Sequence, residues 1–194
     1  MNPRLLEARV EKLTALLEVG KALASERNLD RLLQLILGEV TKVMEADRSS
    51  LFLVDRERNE LWSKIAQGLD PREIRIQIGK GIAGYVVQTG KILNIQDAYA
   101  DPRFNWETDL RTGYRTRNIL CAPMLNQAND VIGTVEVLNK RDGLFTREDE
   151  ELLLALSSQA AVAIENAILY GDIQKLFEGF IKASVYAILS LIHI

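Results

Sequence analysis

Apolar residues recur along this chain with two different periods, and the change from one to the other divides it into elements. Near the N-terminus Leu6, Val10, Leu13 and Leu17 are spaced four, three and four apart, the seam of a heptad repeat. The spacing predicts an amphipathic helix over residues 4–26. Its seam has two candidate partners: the chain's own domain, or the same helix of a second subunit in a parallel coiled coil. Ser25-Glu26-Arg27-Asn28 breaks the repeat. Asn28 is placed to cap a second helix over 29–45, where Leu32, Leu33, Leu35, Ile36, Val40 and Val43 predict a stripe facing a core.

From residue 50 the period shortens. A short apolar strand is expected over 50–54, a reversal at the charged run 55–59, and a returning strand over 60–67. Residues 75–78 alternate and read as another strand. Gly79-Lys80-Gly81 reads as a tight loop feeding a short helix over 82–88, which Thr89-Gly90 ends. A strand over 92–95 precedes a polar, hydroxyl-rich and arginine-rich loop from Asp101 to Asn118. Two longer strands follow, 119–125 and 131–139, joined by a turn at 126–130. A last helix begins near Thr146 and continues past Tyr170. The strands are linked as hairpins, and the helices lie before and after them rather than alternating with them. That order predicts an α+β domain with one central antiparallel sheet flanked by helices. It also predicts three regions: an N-terminal helix over 1–27, the domain over 28–170, and a linker helix over 171–194.

Composition narrows the function classes. The 194 residues suffice for one sizeable domain plus extensions. Lys and Arg number 24 against 27 Asp and Glu, for a net charge of −3, and the cations are scattered. No basic stripe suggests nucleic acid, and no polybasic cluster suggests a membrane surface. No long uncharged run reads as a membrane span, and residues 1–11 lack the apolar block of a signal peptide. The single cysteine, Cys121, rules out a disulfide framework and points to a reducing cytoplasm. The single histidine, His193, lies at the end of the chain. This argues against a Ser/His/Asp triad and most histidine-ligated metal sites, so neither catalytic residues, a metal nor a cofactor are expected.

Several groups carry candidate chemistry. Gly79 to Gly84 is not a P-loop, because the Gly-Lys-Ser/Thr ending is missing. It reads either as a loop into a helix start or as first-turn amides that receive an anionic phosphate. Alternation sets Ile132, Thr134, Glu136 and Leu138 on one face of a strand, and a carboxylate at mid-strand needs a partner or a wet pocket. Asp109, Thr112 and Thr116 are each, taken alone, solvated loop residues. Thr146 with Asp149 has the spacing of a capping box, and Lys140 is placed to pair with Asp149. Trp62 reads as a strand residue on an outer or dimer face, Trp106 as a cover over a pocket, and Cys121 as a small core residue.

The loop from Asp101 to Met124, the run Gly81-Ile82-Ala83-Gly84, and the set Asn139-Lys140, Phe145, Asp149-Glu150 together resemble the GAF domain family over residues 29–170. The likeness is to its cyclic-nucleotide-binding members, as in cyanobacterial adenylyl cyclases and mammalian phosphodiesterases. The resemblance implies ligand contacts from Ser50, Gln67, Ile82, Ala83, Asp109, Thr112, Thr116 and Glu136. It implies a supporting role, without ligand contact, for Asn139, Lys140, Phe145, Asp149 and Glu150. The family often sets a base-stacking aromatic near position 67, whereas this chain has Ala66-Gln67. Cys121 is followed by Ala122 rather than by the histidine beside a bilin-bearing cysteine, which argues against a bilin. GAF-fold reductases use several cysteines, which argues against that chemistry here. The implied function is that of a bacterial-type, cytoplasmic regulatory domain without catalytic activity. It binds cAMP in preference to cGMP, forms a parallel homodimer, and signals through its flanking helices. The other reading is a GAF domain with a different ligand or none, serving as a dimerisation module. A second dimer surface is expected around Ala160, Ala163, Ile164 and Ala167. Residues 176–188 resemble the opening helix of HD-type phosphohydrolase domains, and residues 189–194, which do not match its continuation, are expected to be a truncated or out-of-frame end.

Overall fold

The computed structural model describes residues 14, 16–63 and 74–192. Leu6, Val10 and Leu13 lie outside them. Of the expected first helix, residues 16–25 are helical (α1). Val19 and Leu23 are buried against the domain, whereas Leu17 is 75% exposed. The one described residue of the heptad seam therefore points away from the chain's own core. Helix α2, Leu29–Val43, starts where expected, with the Asn28 side chain accepting from the Arg31 amide at 3.0 Å.

The sheet consists of β1 (Ala46–Asp55), β2 (Glu60–Ser63), β3 (Ile74–Gln77), β4 (Leu93–Ile95), β5 (Ile119–Leu125) and β6 (Val131–Lys140). All neighbours are antiparallel, in the order β3-β2-β1-β6-β5-β4. Strand β1 begins four residues earlier than its apolar run suggests. Its polar start is drawn into the sheet by β6, which pairs Lys140 with Ala46 and Leu138 with Arg48. Helix α3 (Gly81–Thr89) lies on one face. The long α5 (Arg147–Ile192) lies on the other with α1 and α2. The 101–118 segment is not plain loop. It carries α4 (Trp106–Thr112), capped by Asn105 and closed by Gly113 at φ 67°, after a 3-10 turn at Ala98–Ala100.

The main core fills the space between the sheet and α1, α2 and α5. Leu32, Ile36, Leu37, Leu51, Leu120, Met124, Val135, Leu153, Leu156 and Ile164 are almost fully enclosed there. Trp62 is half-buried and packs on this core, not on an outer face, because β2 turns it toward the helix layer beside Leu53. Ile132 also departs from the simple alternation. Val131 pairs with Leu125 and Gly133 with Met124, which leaves Ile132 as the extra residue of a bulge. The face reverses there, and Ile132 joins the helix-side core while Val131 packs on the α3 side. Only glycine fits at position 133, since a Cβ would run into the Phe52 carbonyl and the Met124 methyl.

Lys140 joins three elements. From the end of β6 its Nζ donates to the Met44 carbonyl at the C-cap of α2 at 3.1 Å, to Asp149 Oδ1 in the first turn of α5 at 3.1 Å, and reaches Glu45 at 3.3 Å. The other Asp149 oxygen accepts from the Thr146 amide at 2.9 Å, while Thr146 Oγ1 accepts from the Asp149 amide at 3.3 Å. This is the reciprocal capping box expected from the spacing. The Lys140 and Asp149 side chains are only 10% and 7% exposed.

Helix α5 is continuous for 46 residues, about 69 Å at the usual rise. Ala160, Ala163, Ile164 and Ala167 are all buried in the chain's own core, so they are not a free dimer surface. Within Arg147–Tyr186 the helix holds an 18-residue stretch apolar enough to cross a membrane by length and composition, where no such run was expected. Half of that stretch is buried inside the domain, which accounts for much of its apolarity as core packing.

Because the Lys140–Asp149 pair is enclosed, removing Asp149 leaves the Lys140 cation only the Met44 carbonyl and the largely exposed Glu45 carboxylate. Asp149→Ala should lower the unfolding free energy by about 3 kcal/mol, the low end of the cost of breaking a buried pair. Urea denaturation checks this, and a loss below about 1 kcal/mol would mean the pair behaves as a solvated one.

Candidate functional site

The second face of the sheet carries the candidate site. Ser50 of β1 and Cys121 of β5 both pair with Glu136 of β6, so the three side chains form one row across the middle strands. The next row holds Phe52 and Thr134, and the row on the other side Arg48, Leu138 and Ile119. Helix α3 covers these rows. Ile82 and Val86 pack with Cys121, Ile119 and Leu138, while Ala83 and Val87 pack with Phe52 and Leu61. Its start is set by Gly79 at φ 86° and Gly81 at φ 67°, conformations that suit glycine. Gly84 seats the helix on that turn: its carbonyl accepts from the Gly79 amide at 3.0 Å, and a Cβ would lie 2.8 Å from the Gln77 carbonyl. Lys80 supplies no side-chain cap, and the first turn holds no acid. The amides at Gly81, Ile82 and Ala83 therefore keep the partial positive charge of an uncapped helix start.

Glu136 is the chemically unusual member. It is half-buried, with no ion pair or hydrogen bond among the described residues, and burial lifts its carboxyl to about 7. Cys121 beside it is fully buried. Burial and the Glu136 charge both push its thiol well up, so it stays protonated. Cys121 Sγ lies 3.1 Å from Thr134 Oγ1, which donates to the Ala122 carbonyl at 2.8 Å. Ser50 is 8% exposed, and its hydroxyl has no hydrogen bond among the described residues.

The lid from Ala98 to Asn118 is braced from within. Asp109 accepts from the Thr116 amide at 2.6 Å, from Thr116 Oγ1 at 2.8 Å and from the Tyr99 hydroxyl at 3.0 Å. Thr116 thus satisfies Asp109, its first partner in this fold. Thr112 is exposed and donates back to the Thr108 carbonyl at 2.8 Å. Three arginines stack on tyrosines around the lid: Arg115 over Tyr99 and Arg48 over Tyr114, each at 3.9 Å, and Arg103 over Tyr85 at 4.5 Å. Trp106 is 52% exposed and does not seal anything. Gln67 lies outside the described residues.

The supporting motif explains how lid and sheet are joined. Asn139, at φ 57°, accepts from the Arg117 amide at 2.6 Å and donates to the Tyr114 hydroxyl at 2.8 Å and the Arg115 carbonyl at 2.9 Å. Phe145 is buried in the main core. Its carbonyl and the Glu150 carboxylate both accept from Asn94 of β4, at 2.9 and 2.8 Å. Sequence reading placed this motif but not the Arg48, Tyr99 and Tyr114 contacts, whose partners lie far apart in the chain and leave no local signal.

The Cys121 thiol is protonated, and no group of three or more metal-ligating side chains occurs among the described residues. The site offers uncapped amides, one near-neutral acid and one free hydroxyl on an apolar floor.

Comparison with known proteins agrees with the fold. A probable 3',5'-cyclic phosphodiesterase of Caenorhabditis elegans, pde-5, is 37% identical over 82% of this chain and 24% of its own length. The chain thus spans about a quarter of that relative. The GAF domain of a phosphoenolpyruvate-protein phosphotransferase from Coxiella burnetii superposes with a TM-score of 0.74 at 23% identity, covering 83% of this chain and 96% of that one. A free methionine-R-sulfoxide reductase from Neisseria meningitidis superposes with a TM-score of 0.69 at 19% identity, covering 82% and 91%. At these identities both show the shared fold alone. The GAF domain family model matches residues 28–164, and the chain belongs to the GAF domain family.

Proposed function

We propose that this GAF domain is a regulatory sensor that binds a cyclic nucleotide, cAMP in preference to cGMP. The observation that carries the reading is the row Ser50, Glu136, Cys121 beneath the uncapped start of α3. An anionic phosphate suits the amides of Gly81, Ile82 and Ala83. The polar groups of Ser50 and Glu136 suit the sugar or base, and the braced Asp109–Thr116 lid closes over them. The likeness to a cyclic phosphodiesterase supports the same ligand class. Among the candidate contacts, Ile82, Ala83, Ser50 and Glu136 share the α3 face. Asp109, Thr112 and Thr116 belong to the lid and Gln67 to the segment outside the described residues. The domain itself carries out no reaction, and a reducing cytoplasm is its setting.

The signal leaves through the flanking helices. Beyond Ala167, α5 exposes Leu169, Ile173, Leu176 and Phe180, spaced four, three and four, and beside them Tyr170, Phe177 and Ile181. A bare apolar stripe of this length needs a partner. The proposed partner is the same helix of a second subunit in a parallel homodimer, with the exposed Leu17 of α1 on the second seam. Arg27, just before α2, stacks on Tyr170 at 4.9 Å, so the entry and exit helices meet at the domain's edge. The same stripe also favours a second reading, in which the domain serves chiefly as a dimerisation module with another ligand or none.

Calorimetry on ligand-free protein should give micromolar or tighter binding of cAMP, about −8 kcal/mol or better, with cGMP weaker. Absence of heat with both nucleotides overturns the ligand. Lys140→Ala should weaken that binding without any lost contact, through a loosened joint between sheet and helices. Unchanged affinity would make the motif a purely structural cap.

Sedimentation of the parent at tens of micromolar should show a dimer. Leu176→Glu with Phe180→Glu should dissociate it, because an unpaired carboxylate in the seam is costly. A monomeric parent would rule out the helical relay.

A further inference from the structure

Glu136 is a carboxylate set in an apolar floor with nothing to neutralise it. Across the strands it faces Ser50 and Cys121, and along β6 its same-face neighbours are Thr134 and Leu138, none of them charged. The covering helix brings Ile82, Ala83 and Val86. Of the ionisable groups on the surrounding elements, Lys80 at the N-cap of α3 and Arg111 of the lid are exposed, Arg117 of the lid pairs with Asp47 of β1, and others are engaged as follows. On β1 Arg48 stacks on Tyr114. On α3 Tyr85 lies under Arg103. In the lid Asp109 is bonded to Thr116 and Tyr99, and Arg115 stacks on Tyr99. On β6 Lys140 is held by Asp149. On β5 the Cys121 thiol is protonated, for the reasons given above.

We infer that Glu136 enters the ligand complex as the neutral acid, so that binding of an anionic cyclic nucleotide takes up a proton at this side chain. The inference rests on the cyclic-nucleotide reading above. A ligand seated under α3 displaces the water that still reaches the half-buried carboxyl. It also brings a second negative charge into the same low-dielectric space, where like charges repel strongly. Both effects favour the protonated form. The neutral acid then offers an O–H donor and a carbonyl acceptor beside the free Ser50 hydroxyl, a pair of groups an ionised carboxylate lacks.

The sign of the pH dependence follows. In the free protein burial already holds Glu136 near neutrality, at about 7. Below that value it is protonated in both states, and affinity does not change with pH through this group. Above it, up to the higher value in the complex, affinity falls by about tenfold per pH unit.

Calorimetry at about pH 8, in two buffers of different ionisation heat, counts the protons. The expected result with cAMP is an uptake approaching one proton in the parent. Glu136→Gln should bind with no uptake and with the same affinity at about pH 6 and about pH 8, whatever that affinity is, since an amide does not titrate. No proton uptake in the parent, or an uptake that persists in Glu136→Gln, overturns the inference. Carbon-13 NMR titration of the Glu136 carboxyl in ligand-free protein is independent of binding. An ordinary value near 4.3 overturns the inference whether or not a nucleotide binds. A raised value with no binding of cAMP or cGMP at any pH overturns the cyclic-nucleotide reading, and this inference with it.

Discussion

The ammonium group of Lys140 is where the three layers of this domain are fastened. It draws together the last carbonyl of α2 at Met44, the end of β6 and the first turn of α5 at Asp149. Removing so enclosed a cation is costly, because the Met44 carbonyl and the Asp149 carboxylate would be left desolvated. The adjacent residue, Asn139, does the same on the other side of the strand's end by gripping the backbone of the lid at Arg115 and Arg117. Two neighbouring side chains thus fix the helix layer and the lid to one point of the sheet. Of the five motif residues, Asn139 holds the lid, Lys140 and Asp149 pair with each other, and Phe145 is buried in the main core. Asn94, bonded to Phe145 and Glu150, extends the same fastening to the edge strand β4.

The site inherits its character from this arrangement. Asp109 is satisfied by Thr116 and Tyr99 within the lid, Arg103 and Arg115 stack on tyrosines, and Arg117 pairs with Asp47. Ser50 and Glu136 stand out because their strand positions are dictated by register, not by their own preference. A carboxylate of raised pKa beside an uncapped helix start is the kind of grouping that marks a candidate functional site.

How occupancy would travel is a question of packing. Helix α5 is unbroken from the capping box at Asp149 through the buried Ala160 and Ile164 to the exposed stripe beyond Ala167. Transmission still requires two packings that the ligand distinguishes, since equal affinity for both moves nothing.

Much of this was legible in the chain. The period of its apolar residues marked α2, the central strands and the last helix, because burial on one face repeats with the backbone's own geometry. Asn28, Thr146 and Asp149 were readable as caps because capping is local. Where β1 begins was not readable, since Ala46 to Ser49 become strand only through β6. Nor was Ile132 on the helix side, because a bulge is a mismatch between two strands and neither strand records it alone. The alanines of α5 looked equally fit for a partner subunit or for the chain's own core, and only the packed domain chose the core. For the site, the sequence by itself determined which residues are polar amid apolar strands, Glu136 above all. The tertiary structure decided what that polarity means. Register set Ser50 and Cys121 beside it, α3 closed over it, and the partial loss of water in that setting, not the residue itself, brings its carboxyl to the edge of neutrality.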